Sequence, residues 1–514
     1  MAYGLMFSPY AQENHKRLID KNDPTSYIPT YIAISPRKDG ITAKTKCLNP
    51  QYNASALTPL KRKLLGSSTN ILPKFRVRRG SFSRRRRSSS SVYAGNSSSN
   101  SSSRSNSLDI SKASLVSLPV EILSSILFYL DYTSVQKLAR TCKHMYSVCH
   151  DDGLWRRLLL ADFQSVAPPA PAPTPSTSTA LCKKSNRKNS KSSTAAATSS
   201  INLKLYQNHL KLGRRWLTGK VDTRFLQGHS DSIYCLAWID QDTLVSGSRD
   251  KTLKVWNVKT NQCIRTVENE HDGSILCMRV NKDRSLLLTG SSDATCTIWS
   301  LPDLAPIRKL RGHGHSVLDV CFVHGNRIVT ASRDHTLRLW NQDTGEEMLQ
   351  MLGHTNSVNA VETVDEHRVV SASGDATLKL WDVATGECIR TMQGHRLGLA
   401  CVRYDGRHLY SGGLEGKIKV WDVETGECIN TLLGHVGMIR SLDCIQGRIV
   451  TGSYDRTLKV WDTKTGACIL SFQSGHSNWI FNVLSSGTRI VSSGQEKRIM
   501  VLDFSNGLTP LCAA

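Results

Sequence analysis

The stretch GHSDSIYCLAWIDQDTLVSGSRDKTLKVWN, residues 228–257, decides the fold. It opens on Gly-His, runs into an alternating apolar segment, turns, and gives a second run, LVSGS. It turns again at an Asp and closes on a run ending at Trp256. Alternation over four to eight residues marks a half-buried strand, and Gly, Asn and Asp between such runs mark tight turns. Outward from this stretch the series recurs. Its histidines are His229, His271 (after Glu), His313, His354, His395, His435 and His476, about 40–42 residues apart. A fourth strand follows each repeat, as in ECIRTM (387–392) and ACILSF (467–472). Four short strands at this period read as one blade of a β-propeller, and seven repeats as seven blades. The ring must close. Asp222–Gln227 (DTRFLQ) has the pattern of a fourth strand, whereas the last repeat ends near Phe504 without one. These residues are therefore expected to complete the seventh blade and remove its free edge.

The repeats carry Ser, His and Asp, the residue types of a hydrolase triad. Their spacing argues against one. Ser246, Asp250 and Trp256 define S-x3-D-x5-W, which recurs at Thr289/Asp293/Trp299, Thr330/Asp334/Trp340, Ser371/Asp375/Trp381 and Thr451/Asp455/Trp461. Ser411/Glu415/Trp421 carries Glu, and Ser492/Glu496/Leu502 loses Trp as well. A catalytic set is needed once. A set present in every repeat reads as a structural hydrogen-bond chain, His229, Ser246, Asp250 and Trp256 in the first blade. The broken seventh set is expected to make that blade the loosest. There is no metal-ligand spacing, phosphate loop or isolated nucleophile, so no catalytic residue, metal or cofactor is expected.

The rest of the chain divides by composition. Residues 1–113 are basic and Ser-rich, with four consecutive arginines at 84–87, and are expected to be disordered. Residues 114–163 form a compact apolar island with helical spacing at Ile122, Ile126 and Leu130. A second helix is expected from near Thr133, and a third around Leu154, Trp155 and Leu158. Pro119 suits the first helical position. Residues 164–200 are a Pro-rich, then Ser/Lys-rich linker, residues 201–219 a helical lead-in, and 220–508 the propeller. The predicted fold class is thus multi-domain: an all-β seven-bladed propeller, preceded by a small all-α unit, with disordered N-terminal and linker segments.

The formal charge of +24 lies outside the repeats. About +14 falls on residues 1–110 and about +9 on 166–219, while acids and bases cancel from residue 220 onward. Bulk charge on the propeller is therefore no argument for nucleic-acid binding, and none is expected. Many of the fifteen cysteines sit in apolar runs, the chain starts without an export-signal pattern, and no apolar run approaches membrane-spanning length. Nucleus or cytoplasm, without disulfides or membrane contact, is the expected setting. The basic tracts at 61–65 and 76–87 read as an import signal, as a regulatory phosphorylation region around Ser81 and Ser88, or as a solubilising tail.

With these motifs in view, the repeats resemble the WD-repeat family. The island resembles the F-box family through SLPVEILSSILFYLD (117–131), LARTCKHM (138–145) and LWRRLL (154–159). The resemblance implies a non-catalytic substrate receptor of an SCF-type ubiquitin ligase. Its F-box would bind a Skp-type adaptor, and through that a cullin scaffold and RING subunit. The adaptor-binding residues it implies are Leu118, Pro119, Ile122, Leu123, Ile126, Leu127, Leu138 and Trp155. A homodimer is also possible. The competing reading is a WD-repeat scaffold of a nuclear complex with no ligase role.

A ligand would sit where the turns before each Asp and the innermost strands meet. The turn position carries Arg249, Ser292, Arg333, Gly374, Leu414, Tyr454 and Gln495. The inner-strand position carries Tyr234, Leu276, Leu318, Asn359, Ala400, Arg440 and Phe481. Arginine's planar fork suits bidentate phosphate recognition. The alternative is that Arg249 and Arg333 are solvated turn residues beside their acids. The propeller is most similar to that of the β-transducin-repeat F-box proteins, which read doubly phosphorylated degrons. That resemblance implies a first phosphate site at Arg249, Ser274 and Ser292, and central contacts at Tyr234, Leu318, Asn359, Ala400 and Arg440. Tyr454 and Gly398 match the second phosphate site. Leu397 and Leu414 stand there in place of an Arg and a Ser, so the second site is only partly kept.

Overall fold

A computed structural model describes residues 30–33, 46–47, 115–163, 201–473 and 475–508. The chain separates into two compact units, one holding residues 1–51 and 207–513, the other 52–206.

The helical unit begins with a 3-10 turn, Leu115–Ser117, and continues through α1 (Val120–Phe128), α2 (Tyr132–Ala139), α3 (Lys143–Cys149) and α4 (Asp152–Phe163). Three helices were expected and four form. The extra one, α3, starts where the Cys142 thiol caps the Met145 amide at 3.4 Å, a cap that a reader looking for Ser or Asp passes over. Pro119 stands one position before α1, and its carbonyl takes the amides of Ile122 and Leu123. The core gathers Leu123, Leu127, Val135, Met145, Leu154, Trp155 and Leu158, each at most 2% exposed. The Trp155 indole N–H donates to the Cys149 carbonyl at 2.7 Å, so this buried ring leaves no donor unsatisfied. Helix α5 (Ile201–Thr218) returns the chain to this unit after the 164–200 segment, which lies outside the described residues. Asn202 donates to Asp152 and the Tyr206 hydroxyl to Asp162, each at 2.7 Å.

In the other unit, seven antiparallel sheets form the blades. Blades 1 to 6 each use four consecutive strands, the first blade being Ile233–Trp238, Thr243–Ser248, Leu253–Asn257 and Gln262–Val267. Blade 7 takes Ile480–Ser485, Arg489–Gly494 and Arg498–Asp503, and its fourth strand is Asp222–Gln227, paired from Asp222 opposite Asp503 to Gln227 opposite Arg498. The expected closure is present, and Leu226 and Ile499 are fully buried inside it. The second strands are almost wholly buried and the outer ones mostly exposed. Core clusters therefore lie between successive blades, each including the Trp of one of them. The end of α5 packs on this unit: Trp216 stacks on Phe504 with ring centroids 3.8 Å apart, and Arg448 covers Trp216.

Blade 6 departs from the pattern. Its outer strand, Cys468–Gln473, buries Leu470, Ser471 and Phe472. The strand Thr30–Ala33 pairs with it in parallel, Thr30 opposite Leu470, and Lys46–Cys47 pairs beyond. Residues 1–113 are therefore not wholly without regular structure. An outer strand offers a row of unpaired backbone groups, and a short segment far upstream in the chain takes them. The remainder of that predicted disordered region lies outside the described residues.

Candidate functional site

In each intact blade the indole N–H donates to the Ser or Thr hydroxyl, which donates to His Nε2, whose Nδ1–H donates to Asp. Around His229 the distances are 2.8 Å from Trp256 to Ser246, 2.7 Å from Ser246 to His229 and 2.8 Å to Asp250. Burial alone would push Asp250 up. Hydrogen bonds from His229, Thr252 and the Ser230 amide outweigh it and hold the carboxyl far below the usual range. Ser246 is fully buried and its oxygen already accepts from the indole, so this triad-like set is a girder and not a nucleophile.

The Glu variants differ. His395 Nδ1 lies 3.6 Å from Glu415 and His476 Nδ1 4.0 Å from Glu496, and neither nitrogen has a partner. Burial pushes both histidines down to about 4. The longer carboxylate reaches past the ring and takes two loop amides, those of Arg396 and Leu397 in blade 5 and of Ser477 and Asn478 in blade 7. In the Asp blades the carboxylate takes one loop amide and one turn amide, as Asp250 takes those of Ser230 and Thr252. Blade 5 thus shares a defect expected only of blade 7. There Leu502, fully buried, fills the Trp position.

Two repeated features build the mouth. The turn residue of every blade donates its amide to the loop three residues after the His: Arg249 to Ser232, Ser292 to Ser274, Arg333 to Ser316, Gly374 to Ser357, Leu414 to Gly398, Tyr454 to Met438 and Gln495 to Trp479. Turn and loop are thereby clamped on one face. Each inner strand also breaks register at one residue, and these residues are Tyr234, Leu276, Leu318, Asn359, Ala400, Arg440 and Phe481. A bulge re-aims a side chain. All seven inner-strand candidates are bulge residues, and six of them line a central cavity of about 260 Å³. The lower wall of that cavity is ionic: Arg279 pairs with Glu362 at 3.2 Å and Arg403 with Glu362 at 2.8 Å.

The predicted ligand residues do not all converge. Tyr234 and Phe481 lie 5.1 Å apart, Phe481 meets Tyr454 edge-on, and Tyr454 stacks flat on Trp479 at 4.7 Å. Burial raises the Tyr454 hydroxyl, opposed by the nearby Arg440 guanidinium. Burial likewise raises Tyr234, opposed by Arg249 and Arg440. Two arginines and four aromatic rings thus form one cluster. Arg249 is half exposed and held 3.7 Å from Asp231. On the next blade the Ser292 hydroxyl accepts the Ser274 amide at 2.8 Å, which leaves its own proton to give. Arg333 stands exposed on blade 3, and among the described residues nothing links it to this cluster. Asn359 is spent on the Leu399 carbonyl, and Ala400 is buried. Trp479 and Asp231 escaped the sequence reading. The repeat aligns Trp479 with serines in blades 1 to 4, and that departure was the available signal.

On the helical unit the expected adaptor set splits. Pro119, Ile122 and Ile126 face outward, and Leu118 and Leu138 are half-buried. Leu123, Leu127 and Trp155 are core residues, at most 1% exposed, and cannot be surface contacts. Their period-of-four spacing was sound, but it marks the inward face of α1. Val116, Val120 and Tyr129, 42–72% exposed, belong to the outward set and were missed.

Comparison with known proteins matches the helical unit and the repeats to two families. Residues 115–161 match the F-box-like family, and six segments between residues 220 and 462 match the WD domain, G-beta repeat family. Three of the seventh blade's four strands, with Glu496 and Leu502, fall outside those matches. The chain is 26% identical over 163 residues to the probable E3 ubiquitin ligase complex SCF subunit sconB of Arthroderma otae, covering 30% of this chain and 24% of that protein. It is 35% identical over 114 residues to nuclear distribution protein PAC1-1 of Uncinocarpus reesii, 21% of this chain and 25% of that one. It is 31% identical over 111 residues to coatomer subunit beta'-2 of Arabidopsis thaliana, 21% and 12%. The chain spans about a quarter or less of the length of these relatives. With an F-box-like helical unit and a closed seven-bladed WD-repeat propeller in one polypeptide, the chain belongs to the F-box/WD-repeat proteins.

Proposed function

We propose that this protein is the non-catalytic substrate receptor of an SCF-type ubiquitin ligase. In this reading the F-box-like unit docks a Skp-type adaptor, and through it a cullin scaffold and RING subunit. The propeller mouth holds a phosphorylated segment of the protein to be ubiquitinated. The observation that supports adaptor docking is the outward apolar strip at Val116, Val120, Ile122, Ile126 and Tyr129 on a marginal helical core, an exposure that a partner would relieve. The phosphate reading is supported by Arg440 and Arg249, both near enough to Tyr234 to favour its anion, with the Ser274 and Ser292 hydroxyls on the neighbouring blade. A phosphate dianion outcompetes the single carboxylate of Asp231 for Arg249. The basic tract at 76–87 serves as a nuclear address in the same proposal.

Co-expression with a Skp-type adaptor tests the first half. Wild type should co-elute with it. Ile122→Asp with Ile126→Asp should not, with helical content unchanged because both side chains are exposed. Co-elution of the double variant would reject the docking face. The second half is tested by the binding of phosphorylated and unphosphorylated forms of the same peptides to wild type and to Arg440→Glu. Equal affinity for both forms would reject it.

A further inference from the structure

The mouth is divided by chemistry. Around blades 1 and 2, and at Arg440, it is cationic and hydroxylic. On blades 5 to 7 it is apolar: Leu397 is 51% exposed, Val436 76% and Trp479 46%, with Leu414 half-buried beside them on its turn. Isolated apolar side chains on a surface call for no explanation. A run of them over successive blades, joined to the aromatic cluster through the Tyr454–Trp479 stack, does. The same arc is poor in anion donors for a second reason. In blades 5 and 7 each Glu carboxylate occupies two amides of the loop after the His, where an Asp carboxylate occupies one there and its second amide in the turn, as Asp250 takes Ser230 and Thr252. A phosphate there would meet apolar walls, spent amides and the buried negative charges of Glu415 and Glu496. Nearby, Lys417 and Arg498 are already turned to those acids.

We propose that this arc receives a large apolar or aromatic side chain of the ligand, so that the site reads one phosphate and one apolar residue instead of two phosphates. This rests on the phosphate reading above and adds the second half of the recognised motif. The Tyr454–Trp479 stack is a pre-ordered platform that loses little entropy on binding. Leu397 and Leu414 lie on the neighbouring blade 5, and Arg440, near enough to Tyr454 to favour its anion, links the platform to the phosphate pocket. Among the described residues the arc keeps exposed cations at Arg396, Arg456 and Lys497, and the competing arrangement has Arg396, on the loop of blade 5, hold a second phosphate.

The full-length chain is titrated with short fluorescent peptides that carry one fixed phosphoserine, with each flanking position set in turn to Trp, Leu, Ser or a second phosphoserine. At one flanking position Trp or Leu should bind at least about fivefold tighter than Ser, and the second phosphoserine should bring no gain there. Trp479→Ala should reduce the Trp and Leu peptides to the level of the Ser peptide, while Arg440→Glu abolishes binding of all of them. Leu397→Ser, on an exposed loop, repeats the measurement should Trp479→Ala disturb folding. A gain from the second phosphoserine that disappears in Arg396→Ala overturns the proposal, as does equal binding of every flanking residue. If binding does not depend on the fixed phosphoserine at all, the phosphate reading itself fails, and this inference with it.

Discussion

One methylene separates two kinds of blade. An Asp carboxylate reaches His Nδ1 at 2.7–3.1 Å, whereas Glu415 and Glu496 reach past it to the loop amides. His395 and His476 are left buried, neutral and unpartnered at Nδ1, and pushed down to about 4. An unfolded histidine titrates near 6.5. Between about pH 6.5 and 4 the unfolded chain therefore binds protons that the folded chain does not. Stability rises with pH across that window and falls on acidification. Glu415→Asp should restore the bond, stabilise the protein by about 1 kcal/mol at pH 7 and shrink the loss between pH 7 and pH 5. Urea unfolding at both pH values measures it, and a lower midpoint for the variant would refute the account. The presence of Glu at these positions was legible in the sequence. Its consequence was not, because whether a carboxylate meets a ring nitrogen or an amide depends on distances of about 1 Å.

At the scale of elements, sequence pattern gave the strands and every α-helix of 115–218 except α3, but not the aim of their side chains. Leu123 and Leu127 carry the right spacing, yet they face inward, and the proposed docking face is the exposed stripe beside them at Ile122 and Ile126. The seven bulges illustrate the same limit. Residue type marked Tyr234, Arg440 and Phe481 as ligand candidates, while the local break in register that turns them into the mouth follows from pairing with the second strand. The outer strand of blade 6 is a third case. Leu470 stands there where Arg265, Arg308 and Arg390 stand on other blades. Those arginines reach the carbonyls of Asp303, Thr344 and Thr425 respectively. Blade 6 instead pairs with Thr30–Ala33. Deleting residues 30–33 should speed hydrogen exchange of the Cys468–Gln473 amides, read by mass spectrometry, and leave the outer strand of blade 4, Cys388–Met392, unchanged. Unaltered exchange in both strands would contradict the pairing.

For the propeller as a whole, closure is the decisive contact. Asp222–Gln227 is about 270 residues from the strand it completes, and the ring has no other clasp of this kind among the described residues. Replacing Thr223 and Leu226, 2% and 0% exposed, with Pro removes ladder amides and bares the edge of blade 7. The expected cost is at least about 3 kcal/mol, seen as a lower denaturation midpoint and as concentration-dependent association in gel filtration. Trp216→Ala, which empties the stack on Phe504 and Arg448, should cost about 3–5 kcal/mol. A change below 1 kcal/mol in either variant would show that the ring holds without them.

The sequence by itself determined the number of blades, their girders, the closing strand and the location of the excess charge, because period, turn chemistry and composition are local properties. Only the tertiary structure decided which face of α1 is free, which ligand candidates converge, and that Trp479 completes the aromatic platform. Those outcomes depend on register, on bulges and on contacts between residues tens to hundreds of positions apart, and no local pattern encodes them.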